Sequence, residues 1–346
     1  MHVYTVVPVA PFEPESIITK SIECLKELEH EDFSLEVYYI IDTFPGDTRE
    51  LHWELPDNFK VMLRTNGRGY RAGAINDFLK MIEDADYPAD YVAIIDVDVR
   101  PAKDFIPKCI AALEKNDSAI FSSGYRLVSN ESTFLTKLIA IEWGFIYDVA
   151  IEWGFIYDAR SNTAGTEDYR KEDFRNLDGV GVLKGSLLKG ERFDEKATCD
   201  DTDFLIRMYL KGKVAVLAET SFEDQVPSTL RDFYHQRVRW CRSLVEGFSK
   251  YLIPMIHAPV PFTGKMSWLL EVVGYFFAPF LSLIALPWFL TRPNKKKLSR
   301  GPLESVKLLF GCIGYTWLMT IIGIVAIIQH LTSSQFEWKP RIRSDI

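Results

Sequence analysis

Asp96 and Asp98 stand one residue apart at the end of the apolar run 91–95. A hard divalent cation such as Mg²⁺ or Mn²⁺ takes oxygen ligands of this kind and shares them with substrate phosphates, where it neutralises a diphosphate leaving group. A second acidic group, Asp200-Asp201-Thr202-Asp203, opens a helix-like stretch. Acidic residues there suit the positive end of the helix dipole, so capping is the alternative to chemistry. Asp201 is the candidate general base, a carboxylate that takes the proton of an incoming hydroxyl, with Asp200 and Asp203 as like-charged neighbours that tune its proton affinity. Arg71, in RAGAIN (71–76), falls at an expected helix start, where a cation and backbone N–H groups face an anion together. An exposed surface arginine is the alternative. In Gln236-Arg237-Val238-Arg239-Trp240, helical spacing puts Gln236, Arg239 and Trp240 near one face. Their amide, guanidinium and indole can bind diphosphate oxygens and cover an acceptor sugar ring. The same pattern also suits an amphipathic helix lying on a membrane.

Several apolar runs of strand length must position these groups, at 3–9, 35–41, 61–63, 91–95 and 119–121. Helix-like stretches alternate with them at 15–29, 72–83 and 104–114. Strands separated by helices imply an α/β fold, Rossmann-like, with a mostly parallel sheet covered on both faces. Ligands bind such sheets at the carboxyl ends of the strands, and Pro8, Asp42 and the Asp96/Asp98 pair fall there. Further along, 179–188 reads as a glycine-rich loop and strand, 201–210 as a helix, 213–218 as a strand and 228–249 as a helix. A tandem duplication follows Ile141, with IEWGFIYDVA and IEWGFIYDAR identical at eight of ten positions. A ten-residue shift turns a helix by about 80° net, so the copies cannot present one face, and no function is assigned to them.

The chain has 346 residues and a net charge of −8, which argues against a nucleic-acid binder. Its five cysteines show neither metal spacing nor a disulfide framework, so reduced thiols are expected. The stretch from Trp268 to Leu290 carries only Glu271 as a charge, and that from Leu308 to Ile328 carries none. Each is long enough to cross a hydrocarbon layer about 30 Å thick, so a C-terminal transmembrane helical hairpin is expected, with buried core helices as the alternative. The amino terminus runs straight into Val3–Val7 without the features of a signal peptide, which places the catalytic part in the cytosol. The basic linker at Arg292, Lys295, Lys296, Lys297 and Arg300 opposes Lys265, Lys339, Arg341 and Arg343 in the positive-inside count, so charge does not fix the topology.

TVVPVA, YYIID, RAGAIN, DVD, GVGVLKGSLL, CDDTDF and QRVRW, in that order, resemble inverting glycosyltransferases of family 2. The pattern is most similar to membrane-integrated relatives of cellulose, chitin and hyaluronan synthases, which carry a QxxRW element. The resemblance implies a GT-A fold, a nucleoside-diphosphate sugar donor, first a UDP-sugar, a cation at Asp96 and Asp98, and a base at Asp201. It further places Pro8, Asp42, Arg71, Gln236, Arg239 and Trp240 on the donor, and Gly179, Gly181, Asp200 and Trp240 on the acceptor. Cys199-Asp200 departs from the family's usual Thr-Glu before the base. The expected organisation is a cytosolic catalytic domain at 1–228, an interfacial helix region at 229–266, two spans within 267–330 and a polar tail at 331–346. Membrane lipids and a lipid or glycan acceptor are the implied partners. Two spans do not enclose a polysaccharide path, so polymer secretion would require a homo-oligomer or another partner. A single-addition glycolipid synthase, resembling ceramide glucosyltransferases, and a polyprenyl-phosphate sugar synthase are the enzymatic alternatives. A non-catalytic membrane scaffold is the remaining one.

Overall fold

A computed structural model describes residues 1–44, 54–65, 67–84, 89–152, 172–274 and 302–332. Its first half alternates β1 (His2–Val9), α1 (Glu15–Leu25), β2 (Ser34–Asp42), β3 (Phe59–Arg64), α2 (Tyr70–Asp84), β4 (Tyr91–Ile94), the short β5 (Arg100–Pro101), α3 (Phe105–Glu114) and β6 (Ala119–Val128). After these come α4 (Phe134–Glu152), β7 (Gly181–Lys184), α5 (Asp200–Leu210), β8 (Val214–Asp224) and α6 (Leu230–His257). A helical stretch at 262–274, here α7, and α8 (Pro302–Leu331) complete the described chain.

The eight strands form one sheet in the order β3-β2-β1-β4-β7-β6-β8-β5. β3, β2, β1 and β4 are parallel to one another, as the alternating pattern requires. Beyond β4 the sheet becomes mixed, because β7 runs antiparallel to both β4 and β6, and β5 antiparallel to β8. The expected mostly parallel sheet therefore describes its first half. The strand order reverses between β1 and β4, and a crevice opens at such a switch point on the carboxyl edge. Val3, Val6, Val7, Ile40, Ile41, Val92 and Ile94 fill the interior of this half, all nearly or fully buried. Their continuous apolar runs suit strands that are covered on both faces.

A second apolar cluster lies where α4, α6 and α8 meet. Leu138, Ile139 and Trp143 pack there with Phe233, Val238 and Cys241, and with Tyr315, Met319 and Ile322. Its centre is polar: Arg237, 1% exposed, donates through Nη2 to Glu142 Oε2 and to Tyr315 Oη at 3.1 Å, while Tyr315 Oη donates to Glu142 Oε2 at 2.8 Å. A buried guanidinium without its carboxylate would be costly, so this triad specifies how the three helices meet. Farther along, Ser249 Oγ is 3.2 Å from His330 Nε2, so α8 follows α6 in the same direction for about 20 Å.

α6 runs 28 residues, past the expected end near Ser249, and starts at Thr229, whose hydroxyl accepts from Asp232 N at 3.1 Å. The expected first span begins inside the core of the sheet domain, where Trp268 and Val272 are buried with Phe174 and Tyr209. Its remainder, 275–290, lies outside the described residues, as do the linker 291–301 and the tail 333–346. The expected second span coincides with α8. The first copy of the duplication belongs to α4, and residues 153–160 of the second lie outside the described residues. All five cysteines are free thiols in the structure.

Candidate active site

Arg71 is the centre of the site. It is the second residue of α2, entered through a tight loop in which Gly67, Gly69 and Tyr70 all adopt positive φ. A Cβ at Gly73 would come 1.8 Å from Arg68 O, so only glycine lets the first turn of α2 close on this loop. From there the side chain reaches three separate elements. Nε donates to Asp96 Oδ1 at 2.7 Å, Nη1 to Asp200 Oδ2 at 2.7 Å and Nη2 to Gly179 O at 2.5 Å. Burial opposes the charge on Arg71, but Asp200, Asp96 and Asp201 outweigh it and raise its pKa, so it stays a cation. Arg71, expected near the donor diphosphate, joins the end of β4, the loop before β7 and the start of α5.

Asp201 lies half-buried in the first turn of α5. Its Oδ1 accepts from Thr202 N at 2.7 Å. Burial raises its pKa and Asp200 adds to the rise, while Arg71, the Thr202 N–H and Arg239 oppose it. A carboxylate held in this balance has more affinity for a proton than an ordinary surface aspartate, which suits a general base. Asp203, expected as a further tuning charge, instead faces α6 and accepts from Arg207, Lys250 and Tyr251. Gly179 leaves the space that Asp201 and Arg71 occupy: a Cβ there would lie 2.8 Å from Arg71 Nη2 and 2.9 Å from Asp201 Oδ2. Gly181 has a different task, since its Cβ would meet Ser122 O at 2.3 Å, and the glycine lets β7 approach β6.

Asp96 follows β4 in a turn closed by Val99 N to Asp96 O at 2.9 Å. Arg100 folds back on the turn, donating to Val97 O at 2.9 Å and Val99 O at 2.8 Å. The Asp96 side chain is 37% exposed, and Asp98 is buried. Among the described residues no cluster of three or more His, Cys, Asp or Glu side chains could hold a metal. Two carboxylates fit Mg²⁺ or Mn²⁺ of the kind that completes its coordination with water and substrate phosphate, and do not form an all-protein cage. Pro8 is half-buried at the end of β1. Asp42 closes β2 in register with Arg64 of β3, and Arg64 Nη1 donates to Asp42 Oδ1 at 2.8 Å. Burial pushes the Asp42 carboxyl above its ordinary range, opposed by Arg64 and reinforced by Asp77. Arg64 also donates to Arg68 O at 2.6 Å and so shapes the loop that delivers Arg71.

The residues of QRVRW diverge. Arg239 Nη1 approaches Cys199 Sγ at 3.3 Å, on the Asp201 side. Burial pushes the Cys199 thiol up to about 12, partly offset by Arg239, so it remains a neutral thiol. Trp240 turns the other way, with Arg237 4.5 Å and Arg126 5.5 Å from its ring centroid. Gln236 is half-buried, and its Oε1 is buried without a hydrogen-bond partner. Arg126, overlooked in the sequence, stacks 4.0 Å from the Trp143 ring and donates to Asp178 Oδ1 at 2.6 Å, next to Gly179. Its signal was weak: a single arginine near the end of β6, whose partners lie far along the chain.

The family model "Glycosyl transferase family group 2" matches residues 91–329, which include Asp96, Asp201 and the whole of α6. The chain belongs to glycosyl transferase family group 2. It is 27% identical over 202 residues to glucomannan 4-beta-mannosyltransferase 1 of Oryza sativa subsp. japonica, covering 58% of this chain and 36% of that protein. Identity to glucomannan 4-beta-mannosyltransferase 9 of Arabidopsis thaliana is 25% over 185 residues, covering 53% and 32%. The chain thus spans about a third of the length of these relatives. Its fold is similar to that of the mannosyltransferase PcManGT from Pyrobaculum calidifontis, solved in complex with GDP-Man and Mn²⁺. There the TM-score is 0.59 at 18% identity, over 96% of this chain and 88% of that one. The family 2 glycosyltransferase therefore has a GT-A fold, whose mixed second half the strand pairing explains.

Replacing Gly179 by Ala pushes a methyl against both Arg71 and Asp201. The expected result is a fall in turnover of about 100-fold, with little change in melting temperature, because the cost falls on the alignment of Asp201 with Arg71. Steady-state kinetics beside a thermal melt would check this, and turnover near wild type would show that the loop yields.

Proposed function

We propose that this protein is an inverting, metal-assisted transferase that moves mannose from GDP-mannose to a hydroxyl of a glycan or membrane lipid. The observation that carries the reaction type is Asp201, half-buried in the first turn of α5 with its proton affinity raised, beside the Arg71 clasp. The glucomannan mannosyltransferases and the GDP-Man complex of PcManGT support a GDP-linked donor over the UDP-sugar first expected. In this reading Asp201 accepts the hydroxyl proton as the acceptor oxygen bonds to the anomeric carbon. The bond from that carbon to the diphosphate breaks on the opposite face, which inverts the configuration, and the diphosphate leaves with the electron pair. Asp96 and Asp98 would hold a divalent cation, which would neutralise the departing diphosphate. Arg239 puts positive charge on the Asp201 side, while Trp240 is stacked against Arg126 and Arg237 on the other side of α6.

A membrane location is part of the proposal. α8 turns Val306, Phe310, Trp317, Ile321, Ile324 and Ile328 outward at spacings of three, four and seven residues, and the opposite face packs on α6. A lipid surface is the partner that would cover that stripe.

Purified protein in lipid vesicles should release GDP from GDP-mannose in the presence of Mn²⁺ and mannan oligosaccharides or lipid extract. Asp201→Asn should lower that rate at least about 1000-fold and leave GDP-mannose affinity within about threefold. Turnover retained in Asp201→Asn would remove Asp201 from the base role. A ladder of product lengths identifies polymerisation, and one lipid-soluble product identifies single addition. Brominated lipid should quench Trp317 fluorescence, and no quenching would take α8 out of the membrane.

A further inference from the structure

Asp203 lies two residues beyond Asp201 on α5, so helical geometry turns it about 200° from the base. It is nevertheless 7% exposed and fully engaged. Its Oδ1 accepts from Lys250 Nζ at 2.8 Å and from Tyr251 Oη at 2.5 Å, and its Oδ2 accepts from Arg207 Nε at 2.7 Å. Lys250 and Tyr251 belong to α6, the helix that also carries Arg239. Two more contacts lie along the same seam. Thr198 Oγ1 donates to Glu246 Oε2 at 2.5 Å, and Arg239 Nη1 donates to Cys199 Sγ at 3.3 Å. Positions 239, 246 and 250 are seven and four residues apart, which places them on one stripe of α6 facing α5.

These side-chain contacts across the seam fix how the two helices meet, and charge-assisted hydrogen bonds to a buried carboxylate are its strongest element. Asp203 faces away from Asp201 around α5 and towards α6, so its influence on the base runs through position. Burial and Asp203 push the Tyr251 phenol up to about 12, which keeps it a donor at neutral pH.

We infer that Asp203 is a positioning residue, clamping α5 to α6 and thereby holding Asp201 in place against Arg239. This role rests on Asp201 acting as the base. With Asp203 engaged, the first turn of α5 cannot shift without breaking bonds to two residues of α6. A displacement of about 1 Å at a reacting group costs on the order of 100-fold in rate.

The test compares wild type, Asp203→Asn and the double variant Lys250→Met/Tyr251→Phe in full-length protein in vesicles, with GDP-mannose as probe. Expected are a 10- to 100-fold fall in kcat for each, on the scale that misalignment produces, a GDP-mannose affinity within about threefold, and losses that do not add when all three changes are combined. Deuterium uptake at 199–203 and at 236–241 should rise together in Asp203→Asn, a readout that needs no substrate turnover. Wild-type kcat in folded Asp203→Asn, fully additive losses, or exchange confined to one helix would overturn the assignment. If Asp201→Asn is inactive while Asp203→Asn is not, the base reading stands and only the positioning role falls.

Discussion

The three-way grip of Arg71 on Asp96, Asp200 and Gly179 O is the constraint on which the rest of the site depends. Each partner comes from a different part of the sheet. Asp96 ends the parallel half, Gly179 precedes the antiparallel strand β7, and Asp200 begins the helix that carries Asp201. Two carboxylates and a carbonyl crowded together without the guanidinium would repel one another, and no apolar packing would replace what was lost. The clasp is itself prepared by a second arginine, since Arg64 pairs with Asp42 and Asp77 and ties down the carbonyl of Arg68.

α6 gives the site its other wall, and its residues divide the work by the direction they face. Arg237 turns into the α4–α8 cluster and fastens the helix there. Arg239 turns towards Cys199 and Asp201, and Trp240 covers Arg126. Lys250 and Tyr251, more than two turns later, hold Asp203. One helix is thus fixed by the apolar cluster on one side and by the polar seam with α5 on the other. That double attachment makes it a rigid wall for the catalytic crevice, with α8 carried on its outer side.

The parallel half was legible in the sequence because strands buried on both faces leave unbroken apolar runs separated by helical periods. Asp96, Asp201 and Arg71 were legible for a related reason: they stand where such runs end or a helix begins. β7 was legible as a strand within 179–188 but not its antiparallel pairing with β4 and β6, and β5 was not legible at all, since a two-residue strand has no period of its own and is defined by partners far along the chain. Arg64, Arg126 and Glu142 were invisible as single charged residues, their meaning residing in Asp42, Asp178 and Arg237 across the fold. Helical spacing placed Gln236, Arg239 and Trp240 together, yet long side chains on neighbouring positions reached opposite sides of α6. The start of the run at Trp268 lies in the core, because an apolar run entering a core reads the same as one entering a lipid layer.

The measurement that bears most directly on this arrangement is the pH dependence of kcat in wild type and Asp200→Asn. Burial and the Asp200 charge raise the proton affinity of Asp201, and Arg71 opposes the rise. The base must be ionised to work, so activity should fall as pH drops through a midpoint above the ordinary aspartate value of about 4. Asp200→Asn removes one repelling charge and leaves Arg71 to favour the ionised base, so the midpoint should move down. A wild-type midpoint at the ordinary value, or one that Asp200→Asn leaves in place, would contradict the proposed coupling of Arg71, Asp200 and Asp201.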